Sequence, residues 1–167
     1  MEDHKFPVDA FERQGFKTVF SGQKTYNGVA LITKMMPVDS LNEMPSFEDP
    51  QRRVLASTVG DFRVINVYVP NGSEVGSEKY QYKLDWLQAL AHWLEQEMKD
   101  HPRLVVLGDF NIAPEEVDVH DPKLWRDKIL CSVPERRAFS RLVDLGLRDA
   151  FRCFDQPEKA SAGGTIG

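Results

Sequence analysis

A chain of 167 residues with 41% apolar, 28% charged and 10% aromatic residues has enough core material to exclude a disordered protein, and fits one ordinary domain or a large part of a bigger one. Its net charge of −5 argues against bulk attraction to nucleic acid, although a basic face can coexist with an acidic metal site. No apolar run is long enough to span a membrane, Met1-Glu2-Asp3-His4-Lys5 lacks a secretory signal, and Cys131 and Cys153 read as lone thiols, so no membrane and a reducing cytosol are expected.

The first elements are short. A helical stretch closes at Gly15, and Thr18–Phe20 and Gly28–Thr33 read as strands separated by the polar turn Ser21–Asn27. Pro37–Pro50, rich in Pro, Asp, Ser and Asn, reads as a loop. Val54–Val59 and Phe62–Val69 are β-branched runs, and Gly60-Asp61 between them signals a two-residue antiparallel hairpin. From Tyr80 to Asp100, Leu84, Leu87, Leu90, Ala91, Leu94 and Met98 fall at three- and four-residue steps, the stripe of a long helix that Pro102 stops. Leu104–Leu107 is a continuous apolar run, the pattern of a strand covered on both faces. Ser132 to Leu145 reads as a helix, with Ser132 as cap, Pro134 and Glu135 in the first turn and Gly146 at the end. Hairpins followed by a helix that feeds a strand predict an α/β (α+β) sandwich with mixed sheets.

Chemistry concentrates where the apolar run breaks into Gly108-Asp109-Phe110-Asn111. A carboxylate ending a buried strand needs a metal, a donor or water. Asp109 and Asn111 share a face if the chain stays extended, pairing an acceptor with an amide that can donate to an anionic oxygen. An Asx turn would use the same residues, and from these four alone the two readings are evenly matched. In Asn66-Val67-Tyr68-Val69-Pro70-Asn71-Gly72, alternation puts Asn66 and Tyr68 on one face. Tyr68 is read in isolation as a core-edge residue more readily than as a phosphate contact. Gln51-Arg52-Arg53, Lys79 and Lys83 lie at element ends, where basic side chains contact phosphates or are simply solvated. The histidines His4, His92, His101 and His120 show no zinc spacing, and no P-loop, GxSxG or CxxC motif occurs.

Taken in order, Phe6-Pro7, Gly22-Gln23-Lys24, Gly28–Leu31, Gln51-Arg52-Arg53, Val64–Gly72 with Asn-x-Tyr-x-Pro-x-Gly, and Leu107–Pro114 resemble one family. It is exodeoxyribonuclease III, the bacterial abasic-site endonuclease branch of the endonuclease/exonuclease/phosphatase superfamily. The likeness continues through Asp118-Val119, Trp125, Arg136-Arg137 and Leu145–Arg152. The resemblance implies a four-layer α/β sandwich and a metal-dependent DNA phosphodiesterase of base-excision repair. Such an enzyme cleaves 5′ to abasic sites and removes nucleotides from 3′ ends with Mg²⁺ or Mn²⁺. It further implies Tyr68, Asp109 and Asn111 as catalytic residues, with Asp109 and Asn111 also near the metal. Arg52, Arg53, Asn71, Lys79 and Lys83 become DNA contacts. Double-stranded DNA with abasic sites or 3′ ends is the implied partner, and a monomer the implied state of the complete enzyme.

The chain also departs from the pattern. Met1 falls where the family's metal-binding Gln-Glu-Thr-Lys has just finished, and nothing matches its later Asp or terminal Ser-Asp-His. Residues 1–155 are therefore expected to be the central part of one such domain, with 156–167 an unmatched tail and weak or absent activity. The faces of Leu31, Val54, Ile65 and Val106 are expected to be incompletely covered, favouring self-association. Two other readings compete: a non-cleaving nucleic-acid- or partner-binding paralogue, and a phosphatase of the same superfamily acting on inositol phosphates or lipids.

Overall fold

Strand order follows from where the turns fall. Gly60 adopts φ +60, which glycine reaches without a Cβ penalty, and with Asp61 it joins β4 (Val54–Val59) to β5 (Phe62–Tyr68) in antiparallel register. Upstream, α1 (Val8–Arg13) leads into β1 (Lys17–Gly22) and β2 (Gly28–Thr33), a separate antiparallel pair. The chain leaves β5 through α2 (Glu78–Asp100) and returns as β6 (Leu104–Asp109), parallel to β5. A helical crossover is what parallel pairing requires. The four-stranded sheet is therefore mixed, in the order β3-β4-β5-β6.

The computed structural model describes residues 1–155, so the tail lies outside the described residues. Two compact units result: Met1–Val69 with His92–Phe110, and Pro70–Ala91 with the described residues from Asn111 to Asp155.

In the first unit, the β1–β2 pair lies over one face of β4 and β5. Val29, Leu31 and Leu55 form a buried cluster against which Val64 and Tyr68 pack, and Asn66 Nδ2 donates to Ala30 O at 2.9 Å. The Asn66 amide thus ties sheet to hairpin. On the opposite face Ile65 and Val67 are buried, each burial worth about 1.5–3 kcal/mol. There Arg63 Nε meets Glu97 Oε2 of α2 at 2.7 Å, while its Nη1 reaches Asp39 O.

Three expectations are corrected. Pro37–Leu41 is a strand, β3, paired antiparallel with β4. It lies at the sheet edge with its side chains mostly exposed, so no apolar alternation marks it, and Pro37 at its first position is compatible with an edge. β6 is not covered on both faces: Val105 and Leu107 are about 40% exposed, at 41% and 40%. These two share the face of Val64 and Asn66, where β1–β2 covers β4 and β5 and the cover does not extend over β6. Finally, Leu31, Val54 and Ile65 are buried rather than incompletely covered, and Val106 is half-buried.

The second unit is organised by α4 (Val133–Asp144) and the loops before it. Ser132 Oγ accepts from Glu135 N, and Glu135 in turn accepts from Ser132 N, a reciprocal capping box. Ala113, Leu130 and Cys131 form its buried cluster, packed by Val119, Trp125 and Ile129. Burial pushes the Cys131 thiol above its ordinary range, while Cys153 is exposed, and both are free thiols. Arg152 holds Asp149, Asp118 and Glu115 together, and the short helix α3 (Pro122–Trp125) is capped by the Asp121 side chain.

Candidate active site

In the first unit, register does the positioning. Tyr68 and Asp109 are partners across the parallel β5–β6 ladder, so their side chains stand on the same face about 4.8 Å apart along the hydrogen-bonding direction. Gly108 allows this approach: it adopts φ +128, and a Cβ there would collide with Val67 O. Val69 N then donates to Asp109 O at 2.9 Å, extending the ladder one step beyond β5.

Tyr68 is pinned by Arg53. The tyrosine N–H donates to Arg53 O at 2.8 Å, Arg53 Nη1 donates to Tyr68 O at 3.0 Å, and the guanidinium lies over the ring at 4.8 Å from its centroid. Gln51 Oε1 accepts from Arg53 Nε and Nη2, and from Asn27 Nδ2. Arg53 therefore has three donors committed within the protein. Arg52 is held through its backbone, whose N–H donates to Gln23 Oε1 at 2.7 Å. The unit thus offers an exposed carboxylate acceptor beside a fixed phenol.

In the second unit the two asparagines meet. Asn71 Nδ2 donates to Asn111 Oδ1 at 3.3 Å, and Asn71 Oδ1 accepts from Ser73 N. Asn111 adopts φ +47, a left-handed value that asparagine tolerates better than most residues. Asn71 thus holds the Asn111 amide by its oxygen.

One expected DNA contact is corrected here. Lys83 is fully buried: its Nζ donates to Glu135 Oε1 at 2.5 Å, Asn111 O at 2.6 Å and Asn71 O at 3.1 Å. An ammonium has three protons, so with these acceptors and no exposure it cannot reach a phosphate. Lys79, one helical turn earlier, is exposed. Sequence reasoning assigned Glu135 only to the helix start. Its capping-box spacing was visible, but its ion pair with a lysine 52 residues away carries no local signal.

Among the described residues no group of three or more His, Cys, Asp or Glu is placed to hold a metal ion. A hard cation that keeps several waters can bind through one carboxylate plus substrate oxygens. Asp109 is exposed and suits that mode. Metal ligation by Asn111 Oδ1 would compete with its bond from Asn71.

Comparison with known proteins agrees with the geometry. The chain is 35% identical to exodeoxyribonuclease III of Haemophilus influenzae over 162 residues, covering 90% of this chain and 61% of that protein. Among solved structures, a 3′-5′ exonuclease from Neisseria meningitidis superposes with a TM-score of 0.90 at 48% identity, and an AP endonuclease from Archaeoglobus fulgidus with 0.86 at 39%. Each of these two matches covers 92% of this chain and 60% of the other, so the chain spans about three-fifths of the length of these relatives. The same α/β sandwich, the Gly-Asp-x-Asn strand end and a family model matching residues 3–159 together place this chain in the Endonuclease/Exonuclease/phosphatase family.

Proposed function

We propose that the chain is a divalent-metal-dependent DNA phosphodiesterase that nicks at abasic sites and removes nucleotides from 3′ ends. The observation that carries this reading is the register pairing of Tyr68 with Asp109 on one sheet face, a phenol beside an exposed carboxylate. In this reading Asp109 accepts a proton from the attacking water and orients it. Tyr68, held by Arg53, contacts the phosphate, and Asn111 donates from Nδ2 to a developing phosphoryl charge. Lys79 and Asn71 are exposed DNA contacts, while Arg52 and Arg53 act closer to the tyrosine. A bound Mg²⁺ or Mn²⁺, with Asp109 as its protein carboxylate, supplies polarisation of the phosphoryl oxygen and a lowered pKa for water.

The test is incubation of the 167-residue chain with a duplex carrying a tetrahydrofuran abasic analogue, in Mg²⁺, Mn²⁺ or EDTA. With one carboxylate offered to the cation, nicking is expected to be slow, abolished by EDTA and lost in Asp109→Asn. DNA binding without nicking would replace this reading with the non-cleaving paralogue, for which the absence of a three-residue acidic or histidine cluster among the described residues speaks. Neither binding nor nicking would overturn both.

A further inference from the structure

The second unit contains an ion pair that the proposed chemistry does not use. Lys83 and Glu135 are each 0% exposed, and their charged atoms are 2.5 Å apart. Burying two charges stabilises a fold poorly, since desolvation opposes their attraction, and well-packed apolar residues often serve as well. Stability alone therefore gives such a pair little reason, and a role in placement is the alternative.

The partners supply one. Lys83 Nζ reaches the backbone carbonyls of Asn71 and Asn111, the two residues whose side chains bond each other. The lysine stem packs on Gly72, where a Cβ would approach Lys83 Cδ to 3.0 Å and Ile129 Cδ1 to 2.9 Å. Glu135 fixes the far end. Its oxygens accept from Leu130 N at 3.0 Å, Ser132 N at 3.1 Å and Ser132 Oγ at 2.6 Å, and Ser132 Oγ is 2.7 Å from Tyr80 Oη. The cation is thereby held by the capped start of α4 and closes two loops at once.

We infer that Lys83 and Glu135 are positioning residues for the proposed phosphodiester cleavage: the buried ammonium, anchored by Glu135, fixes the carbonyls of Asn71 and Asn111 and so sets which face of the Asn111 amide meets the substrate. This rests on the role proposed for Asn111. The left-handed backbone of Asn111 is the element being held, and the charge-assisted bond to its carbonyl is the restraint.

The experiment compares wild type with the double variant Lys83→Met/Glu135→Gln, which removes both charges at nearly unchanged volume. The single variant Lys83→Met is a control that leaves the carboxylate unpaired. Three quantities are read: thermal midpoint, single-turnover nicking rate against DNA Kd, and NMR signals of the Asn111 backbone amide and the Asn71 side-chain amide. The double variant is expected to fold, to shift both NMR signals and to nick about 10- to 100-fold more slowly at saturating DNA. A stable double variant with unchanged Asn71 and Asn111 signals would overturn the inference, whatever the nicking rate. Should wild type fail to nick, the proposed function falls, while the NMR signals still decide whether the pair sets the two asparagines. A double variant that does not fold assigns the pair to stability and overturns the positioning role.

Discussion

The two units place their functional candidates by different means. In the first, Tyr68 and Asp109 are set by ladder register, with the Arg53 guanidinium over the tyrosine ring. In the second, Asn71 and Asn111 sit on loops outside any ladder and are held by a fully buried lysine and its glutamate. Each unit also contains a cation–carboxylate pair, and these differ in kind. Arg63 spreads its donors over Glu97, Asp39 O and Thr58 Oγ1, joining helix to strands, with Glu97 12% exposed. Lys83 converges on two site residues and has no access to water. A sheet can deliver a side chain by repetition alone, whereas a loop needs a dedicated anchor.

The comparison can be broken most sharply at Asp109. In the proposed reading, Asp109→Asn is expected to lower the single-turnover nicking rate by about 10²- to 10⁴-fold, with the urea midpoint little changed because the residue is exposed and the substitution nearly isosteric. A parallel fall in the midpoint would mean that ladder and chemistry are not separable. Next in size is Lys83→Met, expected to cost about 3–5 kcal/mol in urea unfolding by stranding the Glu135 carboxylate. Arg63→Met should cost less, about 1–3 kcal/mol, since Glu97 retains some water and the indole N–H of Trp93. Equal losses for these two variants would erase the distinction between the pairs.

Smaller effects sharpen it at the surface. Lys79→Ala is expected to weaken DNA binding uniformly and to lower the salt slope of affinity by about one, read from titrations at several salt concentrations. Smallest of all, iodoacetamide at pH 8 should label Cys153 and spare Cys131. Burial raises the Cys131 thiol, so less reactive thiolate forms at that pH, and intact-mass analysis should show one adduct on the folded protein.

What the sequence made legible follows the same divide. The hairpin at Gly60-Asp61, the 3.6-residue stripe of α2 and the capping box at Ser132 are local signals, and each element appears where its signal lies. β3 was missed because an exposed edge strand need not alternate, and Pro, Asp and Ser read as loop. The cover on β6 was overestimated because an apolar run does not say how far the neighbouring hairpin extends. At the site, spacing alone left Asp109 and Asn111 evenly matched with a turn, the family resemblance implied them and Tyr68 as site residues, and local sequence could not show that Lys83 turns inward. The acceptors that claim it lie on other segments, far away in sequence.

Position 111 has a consequence for any attempt to redesign this strand end. Its backbone calls for a residue at ease in the left-handed region, which leaves glycine, asparagine and aspartate. Glycine would satisfy the backbone and abolish the amide; aspartate would satisfy the backbone and exchange a donor for a second negative charge beside Asp109 in sequence. Glutamine would keep the amide and meet the strain. Conformational demand and chemical demand overlap on a single residue type, so the alphabet at this position is narrower than either demand alone would make it.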